Sequence, residues 1–241
     1  MFFYARLWND GYEHLFNVRK VKGMLKRPSP RDLFGYVVGL TLVALGTALY
    51  VKSAMGTAVA SSLAYVVSRR FLFFSFGVWT YVVQGLVMLS LVMIVRRVKV
   101  DYLASFLSSV AAGYLIDFFI FCLRPLPADT LLLRILYYLM GYLILTCGVG
   151  AFMLTRLPIP PFDMFLREVS HYKNMSIQSV KLRFDLTVLS VGLILSFILY
   201  GSLEGIGAGT FFAAIANGPT IQWMRKRWLR ILDSIPMMRA S

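Results

Sequence analysis

Leu157-Pro158-Ile159-Pro160-Pro161-Phe162-Asp163-Met164-Phe165-Leu166-Arg167-Glu168 is a proline-broken stretch with strongly apolar sequence on both sides. Prolines at 158, 160 and 161 remove backbone donors and fix φ, so no continuous helix passes through them. After the prolines the pattern turns helical. Pro161 suits a first turn, Asp163 lies near the start, and Arg167 follows four residues later on the same face. The stretch reads as a break followed by a short helix whose positive end looks back toward the break. A counterpart stands 102 residues earlier in Ser53-Ala54-Met55-Gly56-Thr57-Ala58-Val59-Ala60-Ser61-Ser62-Leu63-Ala64, with Gly56 in register with Pro158.

The sequence around these breaks is that of a membrane protein. Hydrophobic residues make up 59% of the 241 and charged residues 15%, with a mean hydropathy of +0.71. Together with repeated apolar stretches of bilayer length, this composition indicates a polytopic, all-α integral membrane protein. A net charge of +14 in a soluble domain would point to nucleic acid. Here most basic residues fall between apolar segments, where insertion topology already requires them, and no nucleic-acid partner is expected. Cys122 and Cys147 lie inside apolar segments and provide neither a disulfide framework nor a metal motif. His14 and His171 have no ligand-spaced neighbours, and no Ser, His and acid set forms a nucleophile relay. No enzyme, metal or cofactor is expected.

Six spans are expected, at 35–52, 76–95, 102–123, 133–155, 177–200 and 206–224. They divide the chain into a basic arm (1–34), two membrane repeats (35–123 and 133–225) and a basic tail (226–241). With the amino terminus inside, the only Lys and Arg left outside are Lys52, Arg69, Arg70, Arg124 and Arg134. The positive-inside rule therefore puts both termini in the cytoplasm. A five-span alternative places one terminus outside and breaks this distribution. In the arm, Phe2, Phe3, Leu7, Trp8, Leu15 and Phe16 interleave with Arg19, Lys20, Lys22, Lys26 and Arg27. That pattern suits a helix lying on an anionic leaflet, or a solvated tail, since Asn9-Asp10-Gly11 interrupts the periodicity.

Register supports an internal duplication. At an offset of 102, Gly39 meets Gly141, Gly46 meets Gly148, and Val67-Ser68 meets Val169-Ser170. At 105, Phe106 meets Phe211, Ala111 meets Ala216 and Gly113 meets Gly218. Three spans per half insert the halves with opposite orientation, giving a 3+3 inverted repeat with a broken or short helix in each half.

The chain resembles the YitT/YczE-type family of bacterial integral membrane proteins over about residues 33–226. The likeness rests on Gly39-x6-Gly46, Met55-Gly56-Thr57, Pro160-Pro161-Phe162-Asp163, Gly205-Ile206-Gly207-Ala208-Gly209-Thr210 and Asn217-Gly218-Pro219. Where such families often read Gly-x-x-Pro-x-Asp in the first half, this chain has Ser61 at the position equivalent to Asp163. The resemblance implies a multi-pass protein of the bacterial plasma membrane with a transporter-like build.

Eight residues are expected at a substrate site: Asp163, Arg183, Thr210, Gly207, Gly209, Asn217, Asp117 and Thr57. Asp163 either caps its own helix or presents a carboxylate to a cation or proton. Asp117, deep in the third span, needs a partner or a raised pKa, unless it reaches outer water or Arg124. Lys181 and Asp185 are spaced to pair along one helix face. That leaves Arg183 to meet an anion or Asp163, or to snorkel to headgroups. Gly205 to Thr210 lacks the βαβ context of a dinucleotide fingerprint. Its glycines either leave amides open to an anion, with the Thr210 hydroxyl beside them, or serve close helix packing. Pro219, beside Asn217, is expected to interrupt the sixth span. Asp163 and Thr210 are expected to line one midplane cavity with Arg183 at its cytoplasmic rim.

The functional expectation is a secondary transporter or small-solute permease, its small-molecule or ion substrate held between the two breaks. The alternative is a non-transporting accessory or scaffold protein that acts as a homodimer or docks a membrane partner. No ATP-binding motif is present, so active transport by this chain would draw on an ion gradient.

Overall fold

The computed structural model describes residues 29–234, apart from 97, 98, 156, 159 and 176. The amphipathic arm up to residue 28, the end of the tail and the Arg167 side chain lie outside the described residues. Among the described residues the fold is all-helical: α1 (Pro30–Ser53), α2 (Val59–Arg70), α3 (Phe76–Val95), α4 (Val100–Leu123), α5 (Leu131–Phe152), α6 (Pro161–Lys173), α7 (Ile177–Tyr200) and α8 (Ala208–Ser234).

Helix starts follow local chemistry. Ser29 caps α1 in a reciprocal capping box with Asp32, and Pro30 takes the first turn, where its missing N–H costs nothing. Ser75 caps α3 and Thr130 caps α5 through the amides of Val78 and Leu133. α1, α3 and α6 each end on a residue in the left-handed region: Ala54, Arg96 and Asn174. α2 and α6 are the short helices foreseen after the two breaks. Their first turns differ, since Asp163 occupies that of α6 and no acid occupies that of α2.

Five helical segments are long and apolar enough to cross a bilayer: α1, α3, α4, α5 and Ser179–Tyr200 of α7. The sixth expected span, 206–224, is not of that kind. α8 is apolar only over Ala208–Asn217 and then continues as helix through Arg225 and Arg230 to Ser234. Pro219 does not interrupt it. The Tyr142 hydroxyl supports the turn there, donating to the Ala216 carbonyl at 3.0 Å and touching the Thr220 hydroxyl. The basic stretch expected as a tail is partly fixed as well. Trp228 Nε1 donates to the Cys147 carbonyl at 3.0 Å, and Asp233 pairs with Arg31 at 3.0 Å, tying the last helix to the start of the first.

α1 and α5 pack closely along their glycines. A Cβ added at Gly39 would stand 3.0 Å from the Gly148 carbonyl, and one at Gly148 would stand 2.9 Å from the Gly39 carbonyl. Gly46 and Gly141 meet in the same way, at 2.8 and 3.0 Å. Small residues admit this backbone approach, and the pairs cross-match the 102-residue register as a self-complementary contact does. Elsewhere α2 packs on α7 and α6 on α3, while α1 meets α4 and α5 meets α8. Large apolar side chains such as Leu89, Met93, Leu107 and Phe118 stay exposed, facing where lipid tails would lie.

Candidate functional site

The first break is built against the start of α8. After α1 ends, Ser53 Oγ donates to the Tyr50 carbonyl and accepts from the Met55 amide. Gly56 then adopts φ +111°, a conformation open to glycine and strained for other residues. Across from it, Gly205 has φ +74°. Two backbone hydrogen bonds join these irregular segments, Thr57 N–H to the Gly205 carbonyl at 3.3 Å and Gly209 N–H to the Met55 carbonyl at 3.1 Å. A Cβ at Gly207 would stand 2.6 Å from the Met55 carbonyl oxygen, and one at Gly209 would stand 2.4 Å from the Tyr138 ring. Of the two readings of the glycine run, close packing accounts for these positions.

The amides at the start of α8 are largely taken. Gly207 N–H reaches Thr210 Oγ1 at 3.4 Å, and the Thr210 and Phe211 amides bond the Gly207 carbonyl. Thr210 is thus the third residue of its helix, fully buried, its hydroxyl oxygen reaching back to accept from the cap amide. The expectation of open amides along the glycine run is corrected on this point.

Of the eight expected site residues, Thr57, Gly207, Gly209 and Thr210 come together at this junction. Thr57 is 2% exposed, and its hydroxyl has no hydrogen-bond partner among the described residues. Three tyrosines border the junction. Tyr138 OH donates to the Gly209 carbonyl at 2.5 Å, its ring lies 4.9 Å from that of Tyr50, and Tyr142 packs in the same cluster with Met55 and Ala58. Sequence reading passed over these tyrosines as span residues. The available signal was that a phenol inside an apolar segment must find a polar partner.

The remaining four sit elsewhere. Asp117 is not a lone intramembrane acid but the cap of a neighbouring helix. It accepts from Gly77 N–H at 2.8 Å and from the Ser75 hydroxyl, at the positive end of α3. Neither Arg124 nor outer water is needed to explain it. Because these are charge-assisted bonds, Asp117→Ala is expected to cost about 2–3 kcal/mol of stability. Thermal unfolding in detergent checks this, and loss of activity should track loss of folded protein.

Asp163 is the half-buried third residue of α6. Of its neighbours, Phe162 packs with residues of α1, α2, α3 and α4, and Met164 with Met88, Leu91 and Tyr102. Arg183 is exposed and donates to Met175 Sδ at 3.6 Å, while Lys181 and Asp185 form the expected i,i+4 pair at 2.8 Å. Asn217 lies farther along α8, with its Oδ1 buried and unbonded among the described residues.

Two ion pairs join the short helices to the chain just ahead of α4 and α8. Arg69 of α2 lies 3.4 Å from Glu204, and Lys99 lies 2.6 Å from Glu168 of α6, whose carboxylate also accepts from Tyr102 OH at 3.2 Å. Lys99 and Glu204 are equivalent at the 105-residue offset, while their partners Arg69 and Glu168 both lie on the short helices without being register-equivalent. Residues 30–226 match a family described as being of unknown function, DUF6198. No curated protein and no solved structure matches the chain.

Proposed function

The chain belongs to the DUF6198 family, and within it we propose a secondary transporter or small-solute permease of the bacterial plasma membrane, built as a 3+3 inverted repeat. The observation that carries this reading is the exchange of short helices. α2 docks on α7 with its Arg69–Glu204 pair, and α6 docks on α3 with its Lys99–Glu168 pair. Each short helix thus packs on the other half as well as on its own, a reciprocal arrangement that fits an inverted duplication. The reciprocal glycine contact of α1 with α5 fits an axis between them. In this reading α8 is the sixth crossing, entering from the buried junction, and both termini are cytoplasmic. The YitT/YczE-type resemblance agrees with that build.

The ion pairs then act as latches on opposite faces. Both are partly exposed, and pairs of that kind contribute only about 0–1 kcal/mol each, weak enough to open in a transport cycle. In the second half, Asp163 lies in the first turn of α6. The scaffold alternative draws on the close glycine packing at the junction, and accessibility separates the two.

In a background with Cys122 and Cys147 replaced by serine, a cysteine at Ala58 is labelled with an impermeant maleimide from outside. Arg69→Ala is expected to speed labelling several-fold and Lys99→Ala to leave it unchanged, with cysteines at Asp129 and Ser202 marking the outer face. Equal, slow labelling in both variants would sink the transport reading in favour of a closed scaffold, and a Ser202 cysteine reached only from the cytoplasm would restore five spans.

A further inference from the structure

The two short helices are equivalent in register and differ in one respect that electrostatics makes consequential. α6 carries Asp163 at its third position, and α2 carries Ser61 at the same position. No side chain caps α2, whose cap residue is Ala58. Its first turn nevertheless starts inside the protein, with Thr57 and Val59 buried and Ala58, Ala60 and Ser61 only half-buried. The amides of Ser61 and Ser62 both go to the Ala58 carbonyl, whereas those of Ala58, Val59 and Ala60 bond no partner among the described residues. Beside them stands the unpartnered, almost fully buried Thr57 hydroxyl.

We propose that the amino end of α2 binds the carboxylate of a small solute through the amides of Ala58, Val59 and Ala60 and the hydroxyl of Thr57. The bound carboxylate fills for α2 the place that Asp163 holds in the first turn of α6. Physical reasons converge on an anion here. Unpaired helix-terminal amides and the partial positive charge of the dipole both favour one. The start of α8 meets the same junction and brings no acid in its own first turn. Carboxylate geometry suits two or three parallel N–H donors and a hydroxyl. At the start of α8, by contrast, the Gly207, Gly209, Thr210 and Phe211 amides are engaged within the protein. The site deepens the transport reading and rests on it for the meaning of the bound solute as substrate, though binding is measurable without flux.

The test is thermal unfolding of the full chain in detergent, titrated with sodium acetate or sodium glutamate against sodium chloride at equal ionic strength. A saturable rise in Tm with a carboxylate, and not with chloride, is expected, since a ligand held only by the folded state stabilises it. Thr57→Val keeps shape and removes the hydroxyl, and should raise the half-saturating concentration about tenfold. Ser61→Asp supplies an internal carboxylate at the α2 position matching Asp163, and should raise the ligand-free Tm while abolishing the response. No response in the wild-type chain, a response to chloride of equal size, or an undiminished response in Ser61→Asp overturns the site. Solute flux into proteoliposomes without carboxylate-dependent stabilisation would overturn the site and leave transport standing. Stabilisation without flux of the same solute would support the site and count against transport.

Discussion

Gly77→Ala is expected to leave little folded protein. The added methyl would stand 2.0 Å from the Gly113 carbonyl oxygen and 2.6 Å from Asp117 Oδ2, closer than any real Cβ contact. Intrinsic propensity favours alanine over glycine in a helix by about 1 kcal/mol, so propensity alone predicts a gain. Sterics outweigh it, because the obstructing atom is backbone and cannot rotate away. α3 would have to withdraw from α4, and doing so would break the bonds from Ser75 and Gly77 to Asp117. Overpacking and loss of that cap together amount to about 3 kcal/mol or more. Gly85→Ala on the same helix is the control, since its methyl would meet only the tip of the Phe106 ring at 3.1 Å. Yield and Tm after size-exclusion chromatography separate the two variants, and a well-folded Gly77→Ala would mean that α3 and α4 cross differently.

Gly56→Ala is the second large effect, and its character differs. At φ +111° a Cβ is strained before any neighbour is considered, and here it would also stand 2.6 Å from Thr210 Oγ1 and 2.9 Å from the Gly207 nitrogen. The combined cost is roughly 2–4 kcal/mol. α1 and α5 hold each other through other residues, so the chain should still insert and fold while the junction opens. The expected signature is a lowered Tm together with a lost response to carboxylate. Thr210→Ala removes the atom that the new methyl strikes. Gly56→Ala with Thr210→Ala should therefore recover part of the stability, the dihedral strain remaining. A double variant no better than the sum of its parts would show that the contact is not the cause.

Much of the architecture was legible because periodicity, prolines and paired glycines are local signals. The two breaks, the short helices behind them and five of the spans follow from residues such as Pro160, Pro161 and Gly56. The sixth expected span, 206–224, did not emerge as one of that kind, since α8 is apolar for only its first turns and then relies on Trp228, Leu232 and Asp233 for contacts that hydropathy does not register. At the site, Thr57 and the glycine run were recognisable as unusual residues, but which amides stay unpaired depends on bonds between segments some 150 residues apart. Asp117 was expected to need a partner, but which one stayed hidden for a similar reason. A helix start on a neighbouring segment, marked by Ser75 and Gly77, was its partner, and nothing near Asp117 in the chain indicates it. Lys99 and Glu204 stand in the same 105-residue register as Phe106 and Phe211, but at charged positions that an apolar comparison overlooks.

The hydrogen bonds between 55–57 and 205–209 have a consequence for biosynthesis. During translation the break at 55–57 leaves the ribosome long before its partner is made, and the apolar α1 and α3 on either side of it emerge with the Met55 carbonyl and the Thr57 amide still lacking the groups that later cover them. An arrested nascent chain ending before Gly205 would leave these polar groups without the partners that cover them in the folded protein. Such chains should be held by the insertion machinery or degraded, and release should begin only once α8 has emerged. The start of α8 thus closes an irregularity made about 150 residues earlier in the chain.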